Sequence, residues 1–596
     1  MDADHNARKN WMINYTHKIT NISLVLLFVV ILQPFSGLNA QQRPLAPEPA
    51  TKIQQKHAVI GSKMMVTTAH LEASKAAYDI LLKGGTAAEA GIAAQLVLGL
   101  VEPQSSGLGG GAFAVYYEAD TQLVRTFDAR ETAPDSAGRY LFQKDDGDPM
   151  GFFEAAIGGR AVGVPGVPKL LEKLHTEYGR LNWSDLFTSA IDLSERGFVV
   201  SSRMHTMLID ERPRFKKDAK TFLYFYPDGN APIEAGDVLN NPAYAVTLKN
   251  LRDNKTTDFY NGQIAKDIAE TARMYKGLLS IEDMAEYEVK ERKAVCGKYR
   301  GYNICSMGQP SSGGLTLLIA LGILENFDLK SLGSDNPKSY HLISEASRLA
   351  FEDRNQYMAD KDYVQTPNTL LTDKIYLKTR AAEINPDAAM TSTTYGVPLG
   401  WNDKRQMPDG TVKDSGTSHI TIVDQYGNIL SMTTSIEYAF GSHLMTNGFL
   451  LNNQLTDFSF KASDGQGNLI ANRVEGGKRP RSSMAPTIVF DPNGEPFLAI
   501  GSAGGSRIIG YVLQRIVAAI DWDMNIQKAM NAPHLLHRGK KLEVEMSGVE
   551  YAKPLKDFGH PVLVGEMNSG LTAIQFKEGK VIGAVDSRRD GVAIGN

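Results

Sequence analysis

Apolar positions along this chain follow two rhythms, and the change between them falls past the middle. Leu71 to Lys83 shows helical spacing and stops at Gly84-Gly85. Thr86 with Glu89 supplies a capping box for a second helix. That helix, through "AGIAAQLVLGL", is apolar nearly all round and is expected to be buried. "GGLTLLIALGILENF" and "SYHLISEASRLAFEDRNQYM" read as further helices. Asn385 to Gly416 is polar and aperiodic, with Pro386, Pro398, Pro408 and Gly410, and predicts a long exposed loop. After Gly416 the period changes to two. From Ile420 onward β-branched residues alternate as in a half-buried strand. "TSHITIVD", a turn at Gln425 to Asn428 and "ILSMTTS" predict a hairpin. "APTIVFD" and "PFLAIGS", joined at Pro492-Asn493-Gly494, predict a second. A helix follows from about Ser506 through "IIGYVLQRIVAAI", and "TAIQF" and "VIGAV" close the chain around Lys577 to Lys580. No internal repeat is visible. Helix, sheet, sheet and helix in layers would accommodate a helix-rich part followed by a strand-rich part.

Composition narrows the class. The 596 residues are 42% hydrophobic and 22% charged, which is globular, and the net charge of -4 carries no basic footprint for nucleic acid. At the N-terminus Arg8, Lys9 and Lys18 precede "ISLVLLFVVIL", Ile22 to Leu32, and then Pro34, Gly37 and Ala40. This is the layout of a secretory signal over residues 1–40, with Leu38 a weak residue at the minus-three position. An uncleaved anchor is the alternative, although the apolar run is shorter than the ~20 residues of a spanning helix. Export to the periplasm or medium is expected. Residues 41–60, rich in Gln and Pro, read as a linker. The two cysteines lie in "VCGKYRGYNIC". A two-residue turn at Arg300-Gly301 pairs Tyr299 with Tyr302 and Cys296 with Cys305. That places the sulfurs on a non-hydrogen-bonded pair, within reach of a disulfide in an oxidising compartment. Two cysteines make no zinc site alone, and His534 and His537, in apolar "HLLH", read as packing residues.

The polar cluster before the first late strand raises a chemical question. Thr417 opens that strand, directly after Gly416, and no Asp-His pair at triad-like spacing offers it a base. A cut between Gly416 and Thr417 supplies one, because the freed α-amine has a pKa near 8. The same hydroxyl has the chemistry to make the cut, attacking the Gly416 carbonyl and shifting the acyl group from nitrogen to oxygen. Glycine tolerates the strained backbone this requires. Elsewhere "EPQSSGLGGGAFAVYY" is a Gly-rich turn into a strand, lacking the Lys-Ser/Thr of a phosphate loop. "GSAGGSR", Gly501 to Arg507, opens a helix and suits either phosphate or an oxyanion.

Seven segments, taken in order, resemble the γ-glutamyltransferase (glutathione hydrolase) family: "EPQSSGLGGGAF", "DARETAP", "QPSSGG", "SGTSHITIVD", "FLLNNQLTDFSF", "RPRSSMAPTIV" and "GSAGGSRII". The resemblance runs from about Met64 to Val592. It implies an N-terminal-nucleophile fold of α+β class, a four-layer αββα sandwich. It implies self-cleavage before Thr417 into a large subunit, 61–416, and a small subunit, 417–596, that stay associated and share the fold.

Carried over by motif, Thr417 resembles the nucleophile and Ser435 a hydroxyl that supports it. Gly504 and Gly505 match backbone donors of the oxyanion hole. Arg130, helped by Ser482 and Ser483, matches the grip on the substrate α-carboxylate, for which a guanidinium fork is suited. Gln454 and Asp457 match residues that hold the α-amino group. Glu437 stands where several members have asparagine and would add pull on that amine. No tyrosine lies between Asp457 and Ser482, so a tyrosine-bearing lid over the pocket is not expected. The resemblance implies a γ-glutamyl donor such as glutathione, water or an amino-acid or peptide amine as acceptor, and no metal or organic cofactor. Two alternatives stand beside it. One is an acylase for glutaryl or polyglutamate amides on the same fold. The other is an unprocessed binding protein that keeps the pocket without the chemistry.

Overall fold

The computed structural model describes residues 54–402, 406–409, 416–464 and 466–596. The predicted signal segment and most of the predicted linker lie outside them. Two antiparallel seven-stranded sheets form the centre. One carries Thr417. Its strands run in the spatial order Val592–Gly595, Met65–Thr68, Gly416–Val423, Ile429–Glu437, Gly111–Glu118, Leu123–Ala129, Lys290–Arg292. The other runs Val59–Gly61, Lys580–Val585, Thr572–Lys577, Pro496–Gly501, Thr487–Phe490, Tyr302–Ser306, Val295–Tyr299. Both sheets take strands from before and after Gly416. The division into a helix-rich and a strand-rich part is therefore a division of sequence only. Val59–Gly61 is also a strand, paired with Lys580–Val585, so folded structure begins inside the stretch read as linker.

Three apolar layers separate the four layers of structure. Met65, Phe113 and Val115 of the Thr417 sheet meet Ile488, Ala499 and Ile574 of the other. On the outer face of the Thr417 sheet lie the helices Leu71–Leu82 and Ala87–Val101. The second has all fifteen residues buried, as its all-round apolar text predicts, and Thr86 and Glu89 close the capping box. On the other outer face pack Gly313–Leu324, Pro337–Tyr357 and Ile508–Ile520. Among the described residues no helix is long and apolar enough to cross a membrane.

One expectation fails informatively. The strand from Gly416 is buried along its whole length rather than half-buried. Its polar side chains do not face water; those of His419 and Thr421 point at the second sheet, while Ser418 shares the helix-side face with Ile420 and Ile422. The Thr421 hydroxyl donates to Thr572 O at 3.4 Å, and Ser431, on the partner strand, donates to Ile500 O at 3.2 Å. His419 packs so closely on Gly501 that a Cβ there would lie 2.2 Å from its ring. A central strand covered on both faces gives no solvent side for polar residues, so hydroxyls are tolerated where main-chain carbonyls accept from them.

The loop expectation for 385–416 holds over 385–402 and fails at 406–409. Most of 385–402 is exposed and lacks regular structure. Gln406–Met407 pairs with Leu469–Ile470, and Asp409 is buried. In the edge hairpin, Arg300 and Gly301 both have positive φ, 52° and 88°, the primed-turn geometry. Tyr299 faces Tyr302, and Cys296 faces Cys305 with a Cα separation of 4.2 Å and an S–S bond of 2.10 Å.

Candidate active site

The central hairpin builds the reactive end. Gly416 pairs with Glu437, but Ser418 pairs with Thr434, so Ser435 and Ile436 together oppose Thr417 in a bulge of the partner strand. A bulge re-aims a side chain out of the pleat. The Thr417 hydroxyl donates to Gly416 O at 2.7 Å, and the Ser435 hydroxyl donates to the same oxygen at 2.5 Å. The Glu437 N–H in turn donates to Ser435 Oγ at 2.8 Å. Glu437 reaches this position with φ at +78°, rare for a residue with a side chain. Arg589 fixes the other side of the residue, donating from Nη1 to Thr417 O at 2.9 Å. The carbonyl beside Thr417 is thus polarised by two hydroxyls.

Facing it is the turn after strand Pro496–Gly501. Gly504 and Gly505 have φ of +121° and +59°, and a Cβ on Gly504 would stand 2.7 Å from the Tyr511 ring. The turn leads through Gly505–Arg507 into the helix Ile508–Ile520. Thr417, Ser435 and Gly505 line one cleft. Gly504 is next to it rather than on its wall.

The same cleft receives Arg130, Gln454, Asp457, Ser482 and Ser483. Arg130 ends strand Leu123–Ala129 and is buried. Its Nη2 donates to Asp457 Oδ2 at 2.5 Å, and its Nε to Pro480 O at 3.2 Å. Gln454 Nε2 donates to the same Asp457 oxygen at 2.7 Å. Glu131 lies behind, with its carboxylate 3.8 Å from Arg130 Nη1. Burial pushes the Glu131 carboxyl up to about 8, against the pull of Arg130. Arg130 and Asp457 pair as one cation and one anion. Glu437 is fully buried on the hairpin and does not line the cleft.

Three charged residues of the wall were missed from the sequence. Arg354, on helix Pro337–Tyr357, donates from Nη2 to Ser483 Oγ at 2.7 Å and from Nε to Ser312 Oγ at 2.8 Å. Arg481 donates to Asp409 Oδ2 at 3.1 Å. Asp409 also accepts from Asn472 Nδ2 at 2.9 Å. All three line the cleft. Desolvation lowers the pKa of both guanidiniums from the ordinary arginine value. Arg354 did leave a signal: it follows Ala346 and Ala350 at intervals of four, on the apolar stripe, where an unpaired arginine is costly. His534 and His537 are buried away from the cleft; His534 Nε2 bonds Ser569 Oγ at 2.7 Å. Among the described residues no group of three or more His, Cys, Asp or Glu is placed to hold a metal ion.

Two stacked antiparallel sheets between helical layers, with a hydroxyl residue at the start of a central strand, define an N-terminal-nucleophile sandwich. The solved cephalosporin acylase from Bacillus halodurans superposes with a TM-score of 0.80 at 25% identity, covering 93% of this chain and 99% of that one. Helicobacter pylori γ-glutamyltranspeptidase superposes with a TM-score of 0.55 at 33% identity, covering 60% of this chain and 100% of that one. The family model for gamma-glutamyltranspeptidase matches residues 73–596. A glutathione hydrolase proenzyme of Bacillus subtilis (strain 168) is 34% identical over 96% of this chain and 98% of its own. The chain belongs to the γ-glutamyltranspeptidase family.

Proposed function

We propose that this chain is an exported, self-processing γ-glutamyltransferase that hydrolyses or transfers the γ-glutamyl group of glutathione and related amides. The observation that carries this reading is the pair of hydroxyls on Gly416 O, set in one cleft with the balanced Arg130–Asp457 pair. In maturation, Thr417 Oγ1 attacks the Gly416 carbonyl carbon. The C–N bond breaks, its nitrogen takes the hydroxyl proton, and water hydrolyses the resulting ester. Ser435 is placed to donate to the oxygen as it gains charge.

In turnover the freed Thr417 amine takes the proton from its own hydroxyl while Oγ1 bonds to the substrate γ-carbonyl carbon. The amine passes that proton to the leaving nitrogen as the amide breaks. A γ-glutamyl ester remains, and water or an amine resolves it. The Gly504-Gly505 turn supplies the oxyanion donors. A zwitterionic glutamyl head exchanges partners with the Arg130–Asp457 pair, carboxylate to Arg130 and ammonium to Asp457 and Gln454. Ser482 and Ser483 support the carboxylate. Glu437 acts through its backbone, since its N–H orders Ser435. The signal-like N-terminus and the Cys296–Cys305 disulfide support passage through an oxidising compartment.

Denaturing intact mass with N-terminal sequencing tests the maturation step. Two chains are expected, the smaller beginning Thr-Ser-His-Ile, together with release of the chromophore from a γ-glutamyl anilide. A single stable chain would overturn the reading. An acylase is the second reading, favoured by the TM-score of 0.80 to the cephalosporin acylase. It predicts faster cleavage of a glutaryl anilide, which lacks the ammonium that Asp457 and Gln454 would hold.

A further inference from the structure

Two neighbouring serines on the cleft wall are held by main chain, and a buried arginine decides what one of them can do. The Ser482 N–H donates to Pro310 O at 3.0 Å. Ser312 donates twice to Ser482 O, from its N–H at 2.9 Å and from its hydroxyl at 2.6 Å. The two segments lie so close that a Cβ on Gly313 would stand 2.9 Å from Ser483 O. The backbone here is fixed, and only the two serine protons remain to be directed. The Ser482 hydroxyl oxygen accepts from the Met484 N–H at 3.1 Å. The Ser483 hydroxyl oxygen accepts from Arg354 Nη2 at 2.7 Å. Arg354 is itself locked: it is buried, its Nε donates to Ser312 Oγ at 2.8 Å, and its Nη1 donates to Asn355 Oδ1 at 3.1 Å. A guanidinium has donors only, so Ser483 cannot turn its proton towards it. Among the described residues neither hydroxyl donates to a protein acceptor, and both serines line the cleft. Ser483 is thus a donor in one direction, into the cleft, and accepting from a cation strengthens the bond it gives.

We infer that Arg354 is a positioning residue, which acts through Ser483 and makes this wall selective for an anionic head group. The inference rests on the γ-glutamyl reading above, in which Ser482 and Ser483 support the α-carboxylate. A carboxylate accepts at both oxygens, so it can take Arg130 and the serine protons together. A carboxamide has one accepting oxygen, and its NH2 would face a hydroxyl whose proton points at it. Without Arg354 the Ser483 hydroxyl could rotate and accept from that NH2; with Arg354 in place the proton stays between them. The donors assigned are γ-glutamyl amides with a free α-carboxylate, and their α-carboxamides are rejected.

The test compares two chromogenic donors on the processed protein, a γ-glutamyl nitroanilide and the same compound with its α-carboxylate replaced by a carboxamide. Wild type should favour the carboxylate by about a hundredfold or more in kcat/KM. Ser483→Ala and Arg354→Gln should each lower that ratio about tenfold, mainly through KM for the carboxylate donor, as expected for one charge-assisted bond. The double variant should lose no more than Ser483→Ala alone, because both changes remove the same bond. A purely structural role for Arg354 would depress both donors together and leave the ratio unmoved, and that result overturns the inference. So does an unchanged ratio in Ser483→Ala. So does a double variant showing the product of the two single losses, which would put Arg354 on the carboxylate itself. If Arg354→Gln is insoluble or uncut, Arg354→Lys takes its place, since a lysine has no fork to hold Ser312 and Ser483 at once. An unchanged ratio there overturns the inference equally. A wild-type ratio near one overturns it while leaving the γ-glutamyl reading standing. Cleavage of neither donor overturns that reading and this inference with it.

Discussion

Two hairpins of the same form sit in opposite circumstances. Gly416–Val423 with Ile429–Glu437 lies at the centre of its sheet, paired on both flanks and covered on both faces. Val295–Tyr299 with Tyr302–Ser306 closes the edge of the other sheet, with Cys296 exposed. The edge hairpin is held locally, by a primed turn and a covalent bond between facing strands. The central one is held by its neighbours. Even its turn is shared: Asp424 accepts from Tyr426 N and Asn428 N at 2.9 Å each, and from Ala87 N, the first residue of a helix, at 2.8 Å. A strand held from all sides has rigidity to spare, and that allows a bulge and a positive φ beside the reacting bond. Damage to the edge should therefore cost stability, and damage at the centre should cost chemistry.

The largest effect expected is at Thr417. Thr417→Ala should leave a folded, uncut chain with γ-glutamyl transfer reduced about 10⁴-fold or more, read by intact mass and a single-turnover assay. Ser435→Ala removes one of two donors to Gly416 O. It should slow self-cleavage about 10²–10³-fold, with the melting transition little moved. Turning to the edge, Cys296→Ser with Cys305→Ser opens a loop of sequence separation 9 and should cost about 3 kcal/mol in denaturant titration while cleavage proceeds normally.

A pH experiment probes the centre again. Burial lowers the pKa of His419 to about 3. The folded value lies below the unfolded ~6.5, so its contribution is complete above pH 6.5 and is lost as pH falls towards 3. Between pH 6.5 and 5 this group alone should remove about 2 kcal/mol, and His419→Gln should flatten that part of the profile. The smallest effect is expected at Gly301, where φ is +88°: Gly301→Ala should cost about 1–2 kcal/mol and leave activity unchanged.

The same contrast explains what the sequence disclosed. Local chemistry was legible: the Thr86–Glu89 capping box, the Arg300-Gly301 turn and the register it imposes on Cys296 and Cys305. The motifs also led to most of the cleft wall, because Arg130, Thr417, Ser435, Gln454, Asp457, Ser482, Ser483 and Gly505 converge there. What stayed hidden depends on distant neighbours. The first strand, Val59–Gly61, is fixed by pairing with residues more than five hundred positions later. The full burial of the Gly416 strand follows from the sheet above it, which its own alternation does not encode. Arg354 and Arg481 look like ordinary helix and loop charges until the fold brings Ser483 and Asp409 to them.

The interleaving of the two sheets has a consequence for how the molecule keeps its identity after a cut. In the Thr417 sheet, strands from upstream of Gly416 lie on both sides of the downstream pair, and Val592–Gly595 closes outside one of them. Hydrolysis of one peptide bond at that point would erase the written order of the chain without erasing any neighbour relation. The two pieces would dissociate only by unfolding both. Dilution would not act on such a complex, its concentration would not set its activity, and its lifetime would be that of the fold itself.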